Sequence, residues 1–406
     1  MTVRFARRLD AMKASEIREL LKVTQRPEVI SFGGGLPAPE LFPIEDLKAV
    51  AADVLDREGA RALQYSTTEG HPGLREHIAR RMSAGLGTSF DASQILITSG
   101  SQQGLDLTGK LFLDEGDEVL CESPTYLGAI NAFRAYQPRF VEVATDDEGM
   151  VPADLERRLV GARRARFVYA VPNFQNPSGR TWSLERRRVL LDAAARHGLV
   201  VVEDDPYGQL CYEGATPPAL AALARDVPVV YLGTFSKIFC PGMRVGWLAA
   251  PREIYEKYAL AKQGADLHTS TLAQYQLLAY LERFDIDASI ARIREVYRRR
   301  RDAMLRALEA QCPPGVGWTH PRGGLFLWVT LPEGVSARDA LRRALEQDVA
   351  FVPGGSFYPD GGHENTLRLN FSNMPEERIT EGVRRLGAVL RELCPAPAVL
   401  PRAAGG

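Results

Sequence analysis

At 406 residues, with 45% hydrophobic and 25% charged residues, the chain is too long for one simple core and has the composition of an ordinary globular protein. Fifty Lys and Arg against 51 Asp and Glu leave a net charge of −1, which favours neither nucleic acid nor an anionic membrane as partner. Five scattered cysteines without a CxxC spacing fit reduced cytoplasmic thiols better than a disulfide frame or a metal site, so no metal is expected.

The opening MTVRFARRLDAMKASEIREL is amphipathic and carries no apolar segment followed by a cleavage site, and no stretch is apolar enough to span a bilayer. A cytoplasmic protein without a membrane partner is expected. In KASEIRELLKVTQRP, Ser15 can cap a helix with Ile17, Leu20 and Leu21 on one side and Arg18 flanking them. Residues 1–45 are too few to fold alone and are expected to pack on a smaller domain or on a partner subunit.

Between residues 94 and 250, apolar runs at 95–98, 118–121, 140–143, 166–171, 199–203, 229–232 and 244–249 alternate with amphipathic segments such as 102–113, 184–196 and 252–261. Continuous β-branched runs separated by helices predict an α/β fold: a mainly parallel seven-stranded sheet flanked by helices, in a large domain over 46–300. A long helix is predicted at 286–310, and its basic run Arg298–Arg301 reads as a solvated face. Strands at 325–330 and 367–371 mixed with helices at 337–347 and 376–392 predict a smaller α+β domain over 301–394. The tail 395–406, PAPAVLPRAAGG, reads as disordered.

In a parallel α/β sheet, ligands collect at the carboxyl ends of the strands. In ILITSGSQQGL, Ser99–Gly100–Ser101–Gln102 lie between a strand and a helix, where amides and helix dipole can hold a phosphate; a capped helix start fits equally. VVVEDDPYGQL ends a strand in acids, so Asp204 could face a protonated ring nitrogen with Tyr207 reaching the same ring, or the loop is simply acidic. In YLGTFSKIFCPGMRVGW, Lys237 follows a hydroxyl-rich turn and precedes Arg244. A buried lysine there would be a carbonyl nucleophile beside groups suited to a phosphate, whereas a lone lysine is ordinarily a surface residue. Asn176 in PNFQNPSG marks a turn that could also touch a ligand, and Arg368 in LRLNFS is either an exposed edge residue or a carboxylate clamp.

Taken in order, ISFGGGLPAPELFP, ALQYSTTEGHPGLREHI, TSGSQQGL, PNFQNPSG, VVEDDPY, TFSKIFCPGMRVG, AKQGADLHT, AFVPGGSFY and NTLRLNFS resemble the fold-type I aminotransferases of class I/II that use pyridoxal 5'-phosphate. The subgroup acting on 2-aminoadipate and kynurenine is the most similar. The resemblance implies that Lys237 holds the cofactor as a Schiff base and shuttles the substrate Cα proton. It implies that Asp204 pairs with the pyridine nitrogen, that Tyr207 and Asn176 bond the phenolic oxygen, and that Tyr126 stacks on the ring. Ser101, Gln102, Thr234, Ser236 and Arg244 would surround the phosphate, with Tyr65 of a neighbouring subunit reaching it in a homodimer. Arg368 would grip the substrate α-carboxylate, with Asn176 and Gly35 also at the substrate.

The implied reaction is ping-pong exchange of an amino group between an L-amino acid and a 2-oxo acid such as 2-oxoglutarate. In the bacterial 2-aminoadipate enzymes that KASEIRELLKVTQRP resembles, the residue matching Arg18 can meet a side-chain carboxylate; an exposed helix arginine fits equally, and aromatic or branched donors stay open. Two other functions compete. A β-lyase or amino-acid oxidase would share the cofactor residues. A non-catalytic sensor joined to a winged-helix reader has no room here for that reader, because the resemblance begins within the first two dozen residues.

Overall fold

The computed structural model describes residues 3–10 and 26–394. The helix expected behind Ser15, Arg18 itself, and the tail at 395–406 lie outside the described residues.

The chain enters its first strand at β1 (Ile30–Ser31). The main sheet then takes up β2 (Ile95–Thr98), β3 (Glu118–Ser123), β4 (Arg139–Asp146) and β5 (Gly149–Met150). It is completed by β6 (Ala165–Ala170), β7 (Val200–Asp204), β8 (Val229–Thr234) and β9 (Gly246–Ala249). The spatial order is β2-β9-β8-β7-β6-β3-β4-β5. Strands β4, β3, β6, β7 and β8 pair in parallel, and β9 is antiparallel to both of its neighbours.

All seven predicted runs form strands, most of them buried on both faces; β4, near the edge of the sheet, is largely half-buried. Along β6, Phe167 and Tyr169 pack into one hydrophobic cluster and Val168 and Ala170 into the other, the period of two expected of a strand between two layers of helices. The eighth strand, β5, is a two-residue antiparallel return on β4, too short to leave a periodic signal. The run expected to begin at 244 begins at Gly246, since Arg244 is left-handed (φ 54, ψ 43).

A smaller antiparallel sheet follows, from β10 (Gly317–Trp318), β11 (Phe326–Thr330), β13 (Val352–Pro353) and β14 (Thr366–Asn370) in the order β10-β11-β14-β13. Just before β13, β12 (Val349–Ala350) pairs with β1 in parallel. Phe32 N donates to Ala350 O (2.7 Å) and Asn370 N to Phe32 O (2.9 Å), so residues 30–32 are tied to the small sheet. The helix Ile286–Gln311 runs without a break from one region to the other; Asp285 caps it, its carboxylate accepting from the amides of Asp287 and Ala288.

The basic run on that helix is not the solvated face it was expected to be. Arg300 and Arg301 are 6% and 5% exposed. Arg300 Nη1 donates to Ser372 O (2.5 Å) and its other nitrogen pairs with Glu40. Arg301 donates to Pro321 O (2.9 Å) and pairs with Glu213 and Asp302. Successive residues rotate by about 100° around a helix, so a four-residue run sweeps every face; only Arg298 and Arg299 keep the open one, paired with Glu295. Among the described residues, no helix is long and apolar enough to cross a membrane.

Candidate active site

The ends of β2, β9 and β8 lie side by side, with Gly246 paired to Thr98 on one side and Thr234 on the other. This registers the turn after β2 against the turn after β8. Gly100, at φ 78, is the N-cap of the helix Ser101–Phe112. A Cβ on Gly100 would stand 2.3 Å from Arg244 Nη2, so the guanidinium lies directly on the turn and glycine is required there. Arg244 also donates to Ser99 O (3.3 Å). Ser236 N and Oγ lie 3.1 and 2.9 Å from Thr234 Oγ1. A glycine turn, the first amides of a helix, two hydroxyls and an arginine therefore meet at one point, a constellation suited to a phosphate.

Asp204 ends β7 and is 2% exposed. Its Oδ2 accepts from Tyr169 Oη (2.8 Å), whereas Oδ1 is buried and has no partner. Burial pushes this carboxyl up to about 7, against the pull of the Tyr169 hydrogen bond and with Asp205 adding to the rise. Such an oxygen is costly unless a donor faces it. Tyr126 comes to the same place from the start of the helix Leu127–Arg134. Its ring fits because Gly128 has no side chain; a Cβ there would lie 2.4 Å from the ring carbon bearing the hydroxyl. Gln102 Nε2 donates to Gly128 O (2.9 Å), linking the phosphate-type turn to this ring.

Lys237 keeps part of its surface open. Its Nζ donates to Gly35 O at 2.8 Å. Burial, helped by the positive charges of Arg368 and Arg244, brings its ammonium down to about 8. Arg368, on β14, is 1% exposed. Its Nη1 donates to Asn176 Oδ1 (2.8 Å) and Nη2 to Gly33 O (2.6 Å), while Nε has no partner. The guanidinium carbon sits 4.3 Å from the ring centroid of Phe326 and 5.0 Å from that of Phe357. Burial draws its pKa down to about 10, opposed by Tyr207 and Tyr126, so it stays a cation at neutral pH. Tyr207 is buried with its ring edge-on to Phe326 (5.8 Å) and its hydroxyl bonded to Asn176.

The predicted residues Ser101, Gln102, Tyr126, Asn176, Asp204, Tyr207, Thr234, Ser236, Lys237, Arg244, Arg368 and Gly35 thus surround one region, joined by the contacts above. Tyr65 does not join them within the chain: it is 79% exposed and packs edge-on to His268 at 5.8 Å. Two contributors were not read from sequence. Tyr169 lies within an apolar strand run, and only the pairing of β6 with β7 brings its hydroxyl to Asp204. Gly33 contributes only a carbonyl, which no residue type announces. Cavities of about 520 Å³ beside Arg180 and Trp318, and about 1040 Å³ beside Arg81 and Arg294, contain none of the site groups.

These residues fit pyridoxal phosphate. The unpartnered Asp204 oxygen matches a protonated ring nitrogen, the glycine turn with Arg244 matches a phosphate, and Lys237 is an amine that loses its proton more readily than usual. Residues 28–386 match the model of aminotransferase class I and II. The chain belongs to that family. This aminotransferase uses pyridoxal phosphate and exchanges amino groups between amino acids and 2-oxo acids. It is 48% identical over 392 residues to a 2-aminoadipate transaminase of Thermus thermophilus, covering 96% of this chain and 97% of the relative. It is 45% identical to aromatic-amino-acid aminotransferase 1 of Thermococcus litoralis, with 96% and 94% covered. The solved α-aminoadipate aminotransferase of Thermus thermophilus, complexed with N-(5'-phosphopyridoxyl)-L-leucine, superposes with a TM-score of 0.89 at 47% identity, covering 96% and 97% of the two chains.

Proposed function

We propose that the aminotransferase works through Lys237 as the residue that holds the cofactor and moves the substrate proton, with Asp204 at the ring nitrogen and Arg368 at the substrate α-carboxylate. The observation that carries this reading is one buried cluster containing both a carboxylate oxygen without a partner and a lysine whose ammonium is brought down to about 8. When bound, pyridoxal phosphate supplies an electron-accepting ring that stabilises negative charge at the substrate Cα. Asp204 Oδ1 would accept a hydrogen bond from the protonated ring nitrogen, its negative charge keeping that proton on the ring, and Tyr169 fixes the carboxylate's other oxygen. Tyr126 covers the ring; Tyr207 and Asn176 bond its phenolic oxygen. Ser101, Gln102, Thr234, Ser236 and Arg244 hold the phosphate.

Arg368 Nε is the free donor of a buried guanidinium, which a carboxylate would satisfy. Fixing the carboxylate there, near Gly35, orients the Cα–H bond toward Lys237, the base that removes its proton. The small region around β14 thereby serves as the substrate-gripping unit, with residues 46–300 as the cofactor unit.

We further read the working unit as a homodimer, in which Tyr65 serves the partner's phosphate site. Its 79% exposure, with Leu63 at 69% and Leu260 at 64%, supports an apolar surface that a second copy covers. Sedimentation of the purified chain as a dimer is the expected result. Five free cysteines support a reducing, cytoplasmic location.

2-Aminoadipate, glutamate, aromatic and branched-chain amino acids are the candidate donors. A donor screen with 2-oxoglutarate as acceptor is expected to yield glutamate; ammonia or peroxide without glutamate would overturn the proposed donor chemistry. If Arg18 reads a side-chain carboxylate, Arg18→Ala lowers kcat/KM for 2-aminoadipate by about tenfold relative to leucine, the scale of one lost charge-assisted hydrogen bond. An unchanged ratio removes Arg18 from the specificity argument.

A further inference from the structure

One buried lysine lies outside every group assigned above. Lys262, on the helix Arg252–Asp266, has a side chain with 0% of its surface exposed, a rare position for an ammonium unless it is fully partnered. Its Nζ lies 2.6 and 2.8 Å from the two oxygens of Asp266, 2.8 Å from Gln103 Oε1 and 3.1 Å from Thr269 Oγ1. Each of these partners leads to Ser99. Gln103 Oε1 accepts from Ser99 N (2.9 Å), Asp266 Oδ2 accepts from Ser99 Oγ (3.0 Å), and Thr269 Oγ1 is 3.3 Å from the same hydroxyl. The carbonyl of Ser99 accepts from Arg244. All three polar groups of the residue that opens the turn are thus held, two by the Lys262 network and one by the arginine of the site.

We propose that Lys262 and Asp266 are positioning residues that lock the Ser99–Gly100–Ser101 turn, and Arg244 lying on it, in the geometry that receives the cofactor's phosphate. The proposal rests on the reading of that turn as the phosphate site. The two charges have separate duties. Asp266 anchors Ser99, but a lone carboxylate behind a phosphate site would repel the incoming anion, and Lys262 cancels that charge from the buried side. A packing residue would need neither the charge nor the four oxygen partners.

The test compares two ligands of the apoprotein, pyridoxal phosphate and pyridoxal, which lacks the phosphate. Lys262→Met is expected to raise the Kd for pyridoxal phosphate by about tenfold, the lower range for loss of a supporting partner, while the Kd for pyridoxal stays within twofold. Equal weakening of both ligands, or none, overturns the proposal. Should Lys262→Met fail to fold, Ser99→Ala removes only the hydroxyl link and is expected to shift the Kd for pyridoxal phosphate in the same selective way; no shift there overturns it as well. Arg244→Gln separates this idea from its foundation. If it shows the selective loss and Lys262→Met does not, only the lock fails; if Arg244→Gln shows none, the phosphate-site reading fails.

Discussion

Lys237→Ala is expected to lower turnover on the order of 10⁴-fold or more, since in the proposed assignment it removes both the amine that holds the cofactor and the base that moves the substrate proton. The visible absorption of the protein-bound cofactor should be lost with it; normal turnover in this variant would refute the assignment. The wild-type apoprotein offers a second check through pH. With its ammonium at about 8 rather than the ordinary 10.5, Lys237 presents roughly two-hundred-fold more free amine at about pH 7.5 than an ordinary lysine. The rate of cofactor capture should therefore climb with pH and level off above about 8. A rate still rising steeply at pH ~10, the ordinary lysine range, would show that the amine is not depressed.

Asp204→Asn is expected to lower kcat by about 10²–10³-fold, the scale for losing one preorganised electrostatic partner of the reacting group, because at the position proposed for Asp204 a neutral amide cannot balance a protonated ring nitrogen. The same substitution should not weaken the apoprotein at neutral pH. The carboxyl of Asp204 is raised from 3.8 to about 7 on folding. An acid with a raised folded pKa costs no stability at low pH, where both states are protonated. It destabilises the fold progressively as pH rises from the lower value to the higher, and by a constant amount above. That burden is on the order of a few kcal/mol for a buried group of this kind, and asparagine removes it. Apo Asp204→Asn should accordingly melt no lower than wild type at pH 7.5, and the gap should close toward pH ~4. A large loss of apoprotein Tm together with unchanged kcat would show that Asp204 holds the fold and leaves the ring to other groups.

Much of this site was legible because its groups sit where a strand run ends. Asp204 closes the apolar run VVVED and Lys237 follows the run VVYLGT, so alternation of strand and helix already sends both to the same sheet edge. The glycine turn before the helix Ser101–Phe112 was legible as SGSQ between a strand and a helix. Arg368 was ambiguous. A strand arginine can face solvent or the interior, and only the packing of β14 against Phe326 and Phe357 makes it a buried cation. The run Arg298–Arg301 misled for a related reason: consecutive positive charges suggest one wet face, but a helix distributes them, and two of the four found carbonyl and carboxylate partners inside.

Local patterning was enough for the class of fold and the order of the strand runs, and for placing Asp204, Lys237 and the SGSQ turn at strand ends. Neighbouring residues express that patterning without knowing what lies opposite them. The tertiary structure alone decided which groups meet. Tyr169 reaches Asp204 from the neighbouring strand, Gly33 reaches Arg368 across 335 positions, and Lys262 reaches Gln103, 159 positions away, and through it Ser99. Hydrogen bonds depend on distance and angle in space, and a linear pattern does not encode contacts made by separated elements that pack only after the sheet has formed.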